Sequence, residues 1–200
     1  MTFINIIALM KIIEKKKELG KVNQKIRNCK KCNLWKTRNR VVPGEGSIGA
    51  KVMIVGQAPG AEENKTGKPF IGRAGKFLNQ LLEMARIKRE KIFITSPIKC
   101  FPPKNRKPTK KEIESCLPYL KKQIEIINPE KFILLGDVAF SVFFPYKKLK
   151  DFREKWIKRG GKEYFIAYHP AAGLRFPKIR KTLEKDFRKL RIIFKKTLTP

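Results

Sequence analysis

The placement of four cysteines constrains the fold of this chain more than any other feature of its sequence. Cys29 and Cys32 form a C-x2-C pair, 67 residues separate this pair from Cys100, and 15 more precede Cys116. Four thiolates suit either zinc or an iron–sulfur cluster, although a zinc ribbon would carry a second C-x2-C pair. Two disulfides are the alternative, and they are rare in chains without export signals. The spacing therefore predicts a metal site that fixes an N-terminal segment and a mid-chain loop to one body.

The composition indicates one folded unit that binds a polyanion. Two hundred residues with 42% hydrophobic content can bury one sizeable core. We expect a single domain over residues 11–200, preceded by an N-terminal extension at residues 1–10. The 48 Lys and Arg against 17 Asp and Glu give a net charge of +31. Because neutralised phosphates release counterions, such a charge favours nucleic acid as the partner.

An acidic membrane surface is the rival polyanion. The C-terminal segment KIRKTLEKDFRKLRIIFKK predicts a basic helix with an apolar stripe, formed by Ile179, Leu183, Phe187, Leu190 and Phe194. Most such stripes cover a sheet, so we expect this one to pack in the core. The opening MTFINIIALM is too short to span a bilayer and lacks the marks of a signal peptide. We therefore predict a cytoplasmic, nucleoid-associated protein with no membrane partner.

Short apolar runs alternate with helical patterns along the chain, which is typical of a mainly parallel sheet covered by helices. The runs predict buried strands at 51–56, 92–95, 131–136 and 164–168. The periodic segments predict helices at 11–28, 75–85, 110–127 and 138–144. The lysine-rich segment 146–162 is expected to be a surface excursion. The order predicts the α/β class.

Polar loops follow three of these strands. GQAPG (56–60), TSPIKC (95–100) and YHPAAGLRFP (168–177) each begin where a strand is expected to end. In open α/β sheets, ligands bind beyond the carboxyl ends of the strands. The three loops are therefore expected to form one binding mouth, although each of them taken alone is also a plausible turn.

Three side chains in and near these loops suit the binding of a nucleobase. Phe70 stands in a polar, glycine-rich loop, where a ring can stack on a flat base. His169, the single histidine, can donate a hydrogen bond to an oxygen that gains charge in a reaction. Glu63 is an acid at a strand end in a very basic chain. A core ring, a structural histidine and a solvated acid are the alternatives.

Together these motifs resemble the family 4 uracil-DNA glycosylases of thermophilic bacteria and archaea. The likeness covers IRNCKKC with VPGEG, GQAPGAEENKTGKPFIGRAGKFLN, IFITSPIKCFPPKNRKPT, INPEKFILLG and HPAAGLRFP, in family order. It spans roughly residues 26 to 190. The resemblance implies a three-layer α/β/α sandwich with a central four-stranded, mainly parallel sheet. It also implies excision of uracil from single- or double-stranded DNA in base-excision repair, by a monomer that has replication or repair proteins as possible partners.

The resemblance further implies a role for individual residues. The catalytic set is His169, Gln57 and Glu63, and the substrate-binding set is Gly56, Ala58, Phe70 and Ser96. Leu174 and Arg175 would contact DNA, and Cys29, Cys32, Cys100 and Cys116 would hold a structural [4Fe–4S] cluster. In similar proteins the phenylalanine stacks on the flipped uracil and the histidine contacts the oxygen that becomes anionic.

Two positions depart from the family pattern. Ser96 stands where the family usually has Asn, and a hydroxyl cannot make the paired donor and acceptor contact of an amide. Gln57 stands where Glu is common, which removes a carboxylate. These changes leave altered base specificity and a non-catalytic damaged-DNA binder as alternatives to a uracil-DNA glycosylase. The four cysteines leave a zinc-bound nucleic-acid module as a further alternative. No lysine is clearly placed to form a Schiff base, so we predict hydrolysis without strand cleavage.

Overall fold

A six-stranded mixed sheet forms the centre of the fold. The computed structural model describes the backbone of residues 3–153 and 155–194, and the side chains of residues 9–153 and 155–191. The strands are β1 (Glu45–Gly46), β2 (Val52–Val55), β3 (Phe93–Thr95), β4 (Lys131–Leu135), β5 (Trp156–Arg159) and β6 (Lys162–Ala167). Their order across the sheet is β1-β3-β2-β4-β6-β5.

The four expected strands are the four central strands of this sheet, and they are mutually parallel. The α/β class is confirmed, but the expected total of four strands is wrong. Two further strands pair antiparallel at the edges, β1 on β3 and β5 on β6. Part of the segment 146–162 is therefore a strand rather than a surface excursion. Gly160 and Gly161 both have positive φ, which suits the two-residue turn between β5 and β6.

Helices cover both faces of the sheet. The α-helices are α1 (Phe3–Arg27), α2 (Ala61–Thr66), α3 (Arg73–Met84), α4 (Lys110–Ile127), α5 (Asp137–Phe143), α6 (Pro170–Arg175) and α7 (Pro177–Phe194). Helix α1 already begins at Phe3, although the first two residues of the expected extension at 1–10 lie outside the described residues. The limits of that extension and of the domain stay predictions.

Alternate residues of each central strand enter different cores. Val52 and Ile54 of β2 pack with α3 and α7 on one face, in a cluster that includes Phe77 and Phe187. Met53 and Val55 pack on the other face, in a cluster that includes Leu120 of α4 and Phe140 of α5. Both faces are buried, which explains why the strand sequences are continuously apolar.

The apolar stripe of α7 packs in the core, as expected. Leu183, Phe187 and Leu190 are fully buried, and Ile179 is half-buried against the same cluster. The side chain of Phe194 lies outside the described residues. The described part of the stripe is therefore packed in the core rather than presented to a membrane surface. Across residues 3–153 and 155–194, no helix has both the length and the apolar character needed to cross a bilayer.

Candidate active site

A cavity of about 390 Å³ opens at the carboxyl edge of the parallel strands, and we call it the edge cavity. All three polar loops contribute to its wall, through Gln57, Ala58 and Gly60, through Ser96, and through His169. Phe70 and Glu63 also line it. The edge cavity therefore brings together most of the residues singled out from the sequence.

Phe70 and His169 form an aromatic pair inside this cavity. Their ring centroids lie 5.6 Å apart with an interplanar angle of 26°. Phe70 has φ of +51°, which is uncommon for a residue with a side chain and indicates a locally strained backbone. A Cβ atom on Gly56 would lie 2.6 Å from the Phe70 ring, so only glycine admits the ring at this place. The sequence thus holds a flat apolar ring at the end of β2.

The hydrogen bonds of His169 define its protonation state. The backbone N–H of Ala171 donates to Nδ1 of His169 at 3.2 Å. Since an N–H can only donate, Nδ1 carries no proton and the neutral ring has its proton on Nε2. Burial lowers the pKa of His169 to about 4, against a smaller opposing effect of Glu63. His169 is therefore neutral at pH 7 and keeps one N–H available to a ligand.

Glu63 joins two loops of the cavity wall. One carboxylate oxygen accepts hydrogen bonds from the backbone N–H groups of Ile71 and Gly72, both at 2.9 Å. The other accepts from the N–H of Gly60 at 3.0 Å. With both oxygens engaged, this geometry favours a positioning role, because the carboxylate fixes the loop that carries Phe70 against the loop after β2. A direct catalytic role for Glu63 stays a prediction.

Ser96 is buried, with 7% of its surface exposed, and its hydroxyl donates to the carbonyl oxygen of Ile98 at 2.5 Å. Gln57 is half-buried in the same cavity wall. The two positions that depart from the family pattern therefore both face the edge cavity. The roles expected for them, and for Gly56 and Ala58, stay predictions.

The segment around α6 gives the cavity an exposed apolar and basic rim. Arg175 lines the edge cavity, and Leu174 beside it is 36% exposed. Phe176, which the sequence reasoning missed, also lines the cavity and is 56% exposed. The signal was present in the sequence, since Phe176 completes an apolar-basic-apolar triplet in a loop. The arrangement suits a surface that inserts apolar side chains into DNA and contacts its backbone.

A second loop at the rim was also missed. Asn105 and Arg106 line the edge cavity, and Lys104 and Asn105 both have positive φ. Arg106 makes a bidentate ion pair with the buried carboxylate of Glu112, at 2.7 and 2.9 Å. The sequence did not mark this turn, because the two left-handed positions carry Lys104 and Asn105 rather than glycine.

All four cysteines line one small cavity of about 10 Å³, which we call the cysteine cavity. All four are free, so the disulfide alternative is not realised. Burial raises the pKa of Cys116 to about 12 and also raises that of Cys100. Buried thiols with raised pKa values need a cation to become thiolates. Within the described residues, no three His, Cys, Asp or Glu side chains are close enough together to hold a single metal ion.

Two cations border the cysteine cavity. Arg38 donates to the sulfur of Cys100 at 3.3 Å and to the carbonyl oxygen of Cys29 at 2.8 Å. Lys99 is buried and donates to the hydroxyl of Thr95, the carbonyl oxygen of Ser96 and the side-chain oxygen of Gln123. Burial lowers the pKa of Lys99 to about 7, against a smaller opposing effect of Cys116. The three acceptors of Lys99 also favour the ammonium form. Positive groups at this place can offset the negative charge of four thiolates.

Comparison with known proteins agrees with this geometry. A sequence model of the uracil DNA glycosylase superfamily matches residues 43–191. The chain is 45% identical to a type-4 uracil-DNA glycosylase of Saccharolobus solfataricus, over 86% of this chain and 85% of that protein. It is 43% identical to the type-4 enzyme of Sulfurisphaera tokodaii, over 86% and 83% of the two chains. The type-4 enzyme of Thermotoga maritima is 38% identical, over 88% and 94%. This chain belongs to the uracil-DNA glycosylase superfamily.

Proposed function

We propose that this chain is a monofunctional uracil-DNA glycosylase, which hydrolyses the N-glycosidic bond of uracil in DNA and leaves an abasic site. The observation that carries the proposal is the neutral His169 ring, with its proton on Nε2, stacked beside Phe70 in the edge cavity. Similarity to type-4 uracil-DNA glycosylases over most of the chain supports the same activity.

Binding requires that the base leave the duplex, because the reacting bond is not accessible in the stack. The Phe70 ring provides an apolar plane against which a flipped uracil can lie. The rim formed by Leu174, Arg175 and Phe176 can fill the gap that the base leaves and contact the flanking phosphates. The net charge of +31 supplies affinity for either single- or double-stranded DNA.

The chemical step needs stabilisation of a leaving anion. When the glycosidic bond breaks, the electron pair stays on the base and negative charge develops on a uracil oxygen. The Nε2–H of His169 and backbone N–H groups near Gln57 and Ala58 are the proposed donors to that oxygen. One well-placed donor of this kind lowers a barrier by about 2.7–4 kcal/mol. A neutral histidine suits this task, because it donates a hydrogen bond without having to lose a proton first.

We propose hydrolysis without strand cleavage. A glycosylase that cleaves the strand by a lyase reaction uses an amine to attack the sugar. No lysine belongs to the described residues that line the edge cavity. Lys99 lies behind the wall and is bonded to Thr95, Ser96 and Gln123. Water is therefore the nucleophile.

We further propose that the four cysteines hold a structural [4Fe–4S] cluster. Four free cysteines line one cavity, and the thiolate set fits this group. Arg38 and a backbone N–H at Lys31 donate to the sulfurs of Cys100 and Cys29. Zinc also takes four thiolates and is the alternative, although the cysteines as placed do not form a single-ion site among the described residues. Iron and sulfide analysis of anaerobically purified protein distinguishes the two, since a cluster gives a brown protein with iron and a zinc site gives a colourless one.

A non-catalytic DNA binder is the second candidate function, and the serine at position 96 is the observation that favours it. The test uses two oligonucleotides that differ only by uracil or thymine at one position. The proposal predicts free uracil from the first oligonucleotide alone, with strand breaks only after alkali treatment. Tight binding to both oligonucleotides without release of any base would favour the binder. Strand breaks before alkali treatment would contradict the hydrolytic assignment.

A further inference from the structure

We infer that Ser96 reads the base as a hydrogen-bond acceptor only, so that it selects the N3–H of uracil and leaves the O4 position unread. The inference rests on the proposed glycosylase function and names the specificity of that same cavity. It concerns a feature of this chain, the replacement of an amide by a hydroxyl whose hydrogen is already used.

The hydrogen bond of the Ser96 hydroxyl fixes its polarity. Its Oγ lies 2.5 Å from the carbonyl oxygen of Ile98. A carbonyl oxygen can only accept, so the serine must supply the hydrogen, and it has only one. The lone pairs of Oγ are left, and in the described part of the chain no donor is bonded to them. Ser96 therefore presents an acceptor, and no donor, from its side chain.

The neighbouring oxygen atoms are already bonded. The carbonyl oxygen of Thr95 accepts from the N–H of Gly56 at 2.9 Å. The hydroxyl of Thr95 accepts from Lys99 at 2.6 Å, and the carbonyl oxygen of Ser96 accepts from Lys99 at 2.8 Å. Of the two hydroxyl oxygens, Thr95 Oγ1 already accepts a hydrogen bond, whereas no donor in the described part of the chain is bonded to Ser96 Oγ, which can therefore accept from a base in the edge cavity.

The fixed polarity has a direct consequence for base selection. Uracil carries a hydrogen on N3, whereas cytosine has a lone pair there. A freely rotating hydroxyl would serve both bases, since it can either accept or donate. The Ser96 hydroxyl, held by Ile98, can accept from uracil and can only repel the lone pair of cytosine. Discrimination against cytosine is therefore kept without the family amide.

The same hydrogen bond to Ile98 leaves the O4 atom of the base without a donor from Ser96. An amide in this position would accept from N3–H and donate to O4 at once. Ser96 has no donor for O4, so replacement of that oxygen should not change the contact between the base and Ser96. We therefore expect the protein to accept bases that carry an N–H at ring position 3, largely irrespective of the exocyclic atom at position 4.

The test measures single-turnover base release by the parent, Ser96→Ala and Ser96→Asn proteins. The oligonucleotides carry uracil, 3-deazauracil, in which a C–H replaces N3–H, or 4-thiouracil, in which sulfur replaces O4. For each base, the ratio between two proteins cancels the intrinsic leaving ability of that base. The parent should exceed Ser96→Ala by about 5- to 150-fold on uracil, as for a good base-reading contact, and by about 1-fold on 3-deazauracil.

The Ser96→Asn variant provides the second comparison, which also decides the question if Ser96→Ala does not fold. It should prefer uracil over 4-thiouracil at least about 5-fold more strongly than the parent does. Equal preference in both proteins would overturn the inference, as would equal parent-to-alanine ratios on uracil and 3-deazauracil. Release of cytosine by the parent at a rate near that of uracil would also overturn it. A parent that releases no base at all would instead overturn the proposed function and the inference with it.

Discussion

The edge cavity and the cysteine cavity lie at the two ends of one short loop, and they differ in almost every physical respect. Ser96 lines the first and Cys100 lines the second, with the buried Lys99 between them. The edge cavity measures about 390 Å³, whereas the cysteine cavity measures about 10 Å³. One is large enough for a base and retains unused hydrogen-bonding atoms. The other is too small for a base and is lined by the four thiols.

We expect the edge cavity to carry out the reaction and the cysteine cavity to stabilise the structure around it. In the edge cavity, the Nε2–H of His169 and the Oγ lone pairs of Ser96 are available to a ligand, and Phe70 has strained backbone. At the cysteine cavity, Arg38 donates to the sulfur of Cys100 and Lys99 donates to the carbonyl oxygen of Ser96, so both hold the loop 96–100 in place. A group bound at the cysteine cavity would thus fix the position of Ser96 without touching the base.

The largest effect should follow loss of one of the four cysteines that we propose as cluster ligands. Cys116→Ala should abolish the brown colour, lower the melting temperature strongly and reduce uracil release, because the loop at 96–100 loses its attachment. Structural zinc in small domains contributes about 10–16 kcal/mol to folding, which is comparable with the whole stability of a typical protein. Visible absorption and thermal unfolding measure the effect. Ser115→Ala, at the same cavity, is the control and should change neither.

The second prediction concerns the pH dependence of the free energy of unfolding, which reports on His169 in the edge cavity. The pKa of His169 is about 4 in the fold and about 6.5 when the chain is unfolded. Between these values the unfolded chain binds more protons, so the free energy of unfolding should rise with pH from 4 to 6.5, by at most about 3 kcal/mol.

The chain has a single histidine, so one set of imidazole NMR signals reports its titration. His169→Gln should flatten the stability profile in that pH window relative to the parent, since the carboxylates titrate in both proteins. A His169 signal that titrates near 6.5 in the folded protein would contradict the account of a desolvated, neutral ring.

The third prediction tests whether Glu63 positions the cavity wall. Glu63→Gln leaves one acceptor oxygen for three backbone N–H groups, and it places an amide N–H opposite the N–H of Gly60. Hydrogen bonds to a charged group contribute about 1.5–3 kcal/mol, so stability and uracil release should both fall. The brown colour of the proposed cluster should not change. Glu62→Gln, which removes only the exposed ion pair with Lys65, should change the unfolding free energy by less than about 0.5 kcal/mol. Equal effects of the two variants would exclude the positioning role.

The smallest effect is expected at the rim. Arg175→Ala should weaken DNA binding similarly for uracil and thymine oligonucleotides and reduce the slope of log K against log salt concentration by about 1, because one phosphate contact is lost. Binding titrations at several salt concentrations measure this slope. Arg188, exposed on α7, supplies the control, and Arg188→Ala should leave the slope nearly unchanged. A loss confined to uracil DNA would instead place Arg175 in base recognition.

The sequence predicted the central strands and the loops at their carboxyl ends, because buried parallel strands are continuously apolar and their ends carry glycine and proline. It did not predict β1 or β5. β1 has two residues and no pattern, and β5 carries Lys158 and Arg159 on an exposed edge. The Gly160-Gly161 turn was the available signal for the second of these strands.

Within the candidate site, residue types could be predicted but hydrogen-bond partners could not. Glu63 was expected in the catalytic set as an acidic residue of the pocket, and only the fold brings the N–H groups of Gly60, Ile71 and Gly72 to its carboxylate. The hydroxyl of Ser96 was expected to lack the paired contact of an amide. Its bond to Ile98, two residues later, depends on the turn that the loop adopts after β3.

The most direct test of the account measures uracil release and visible absorption on the same preparation of parent protein and His169→Ala. If the edge cavity performs the chemistry and the cysteine cavity supports it, the variant should release uracil about 10²- to 10³-fold more slowly, with absorption and melting temperature close to those of the parent. Unchanged release would show that His169 does not stabilise the leaving base. Loss of the colour together with the activity would show that the two cavities are not separable.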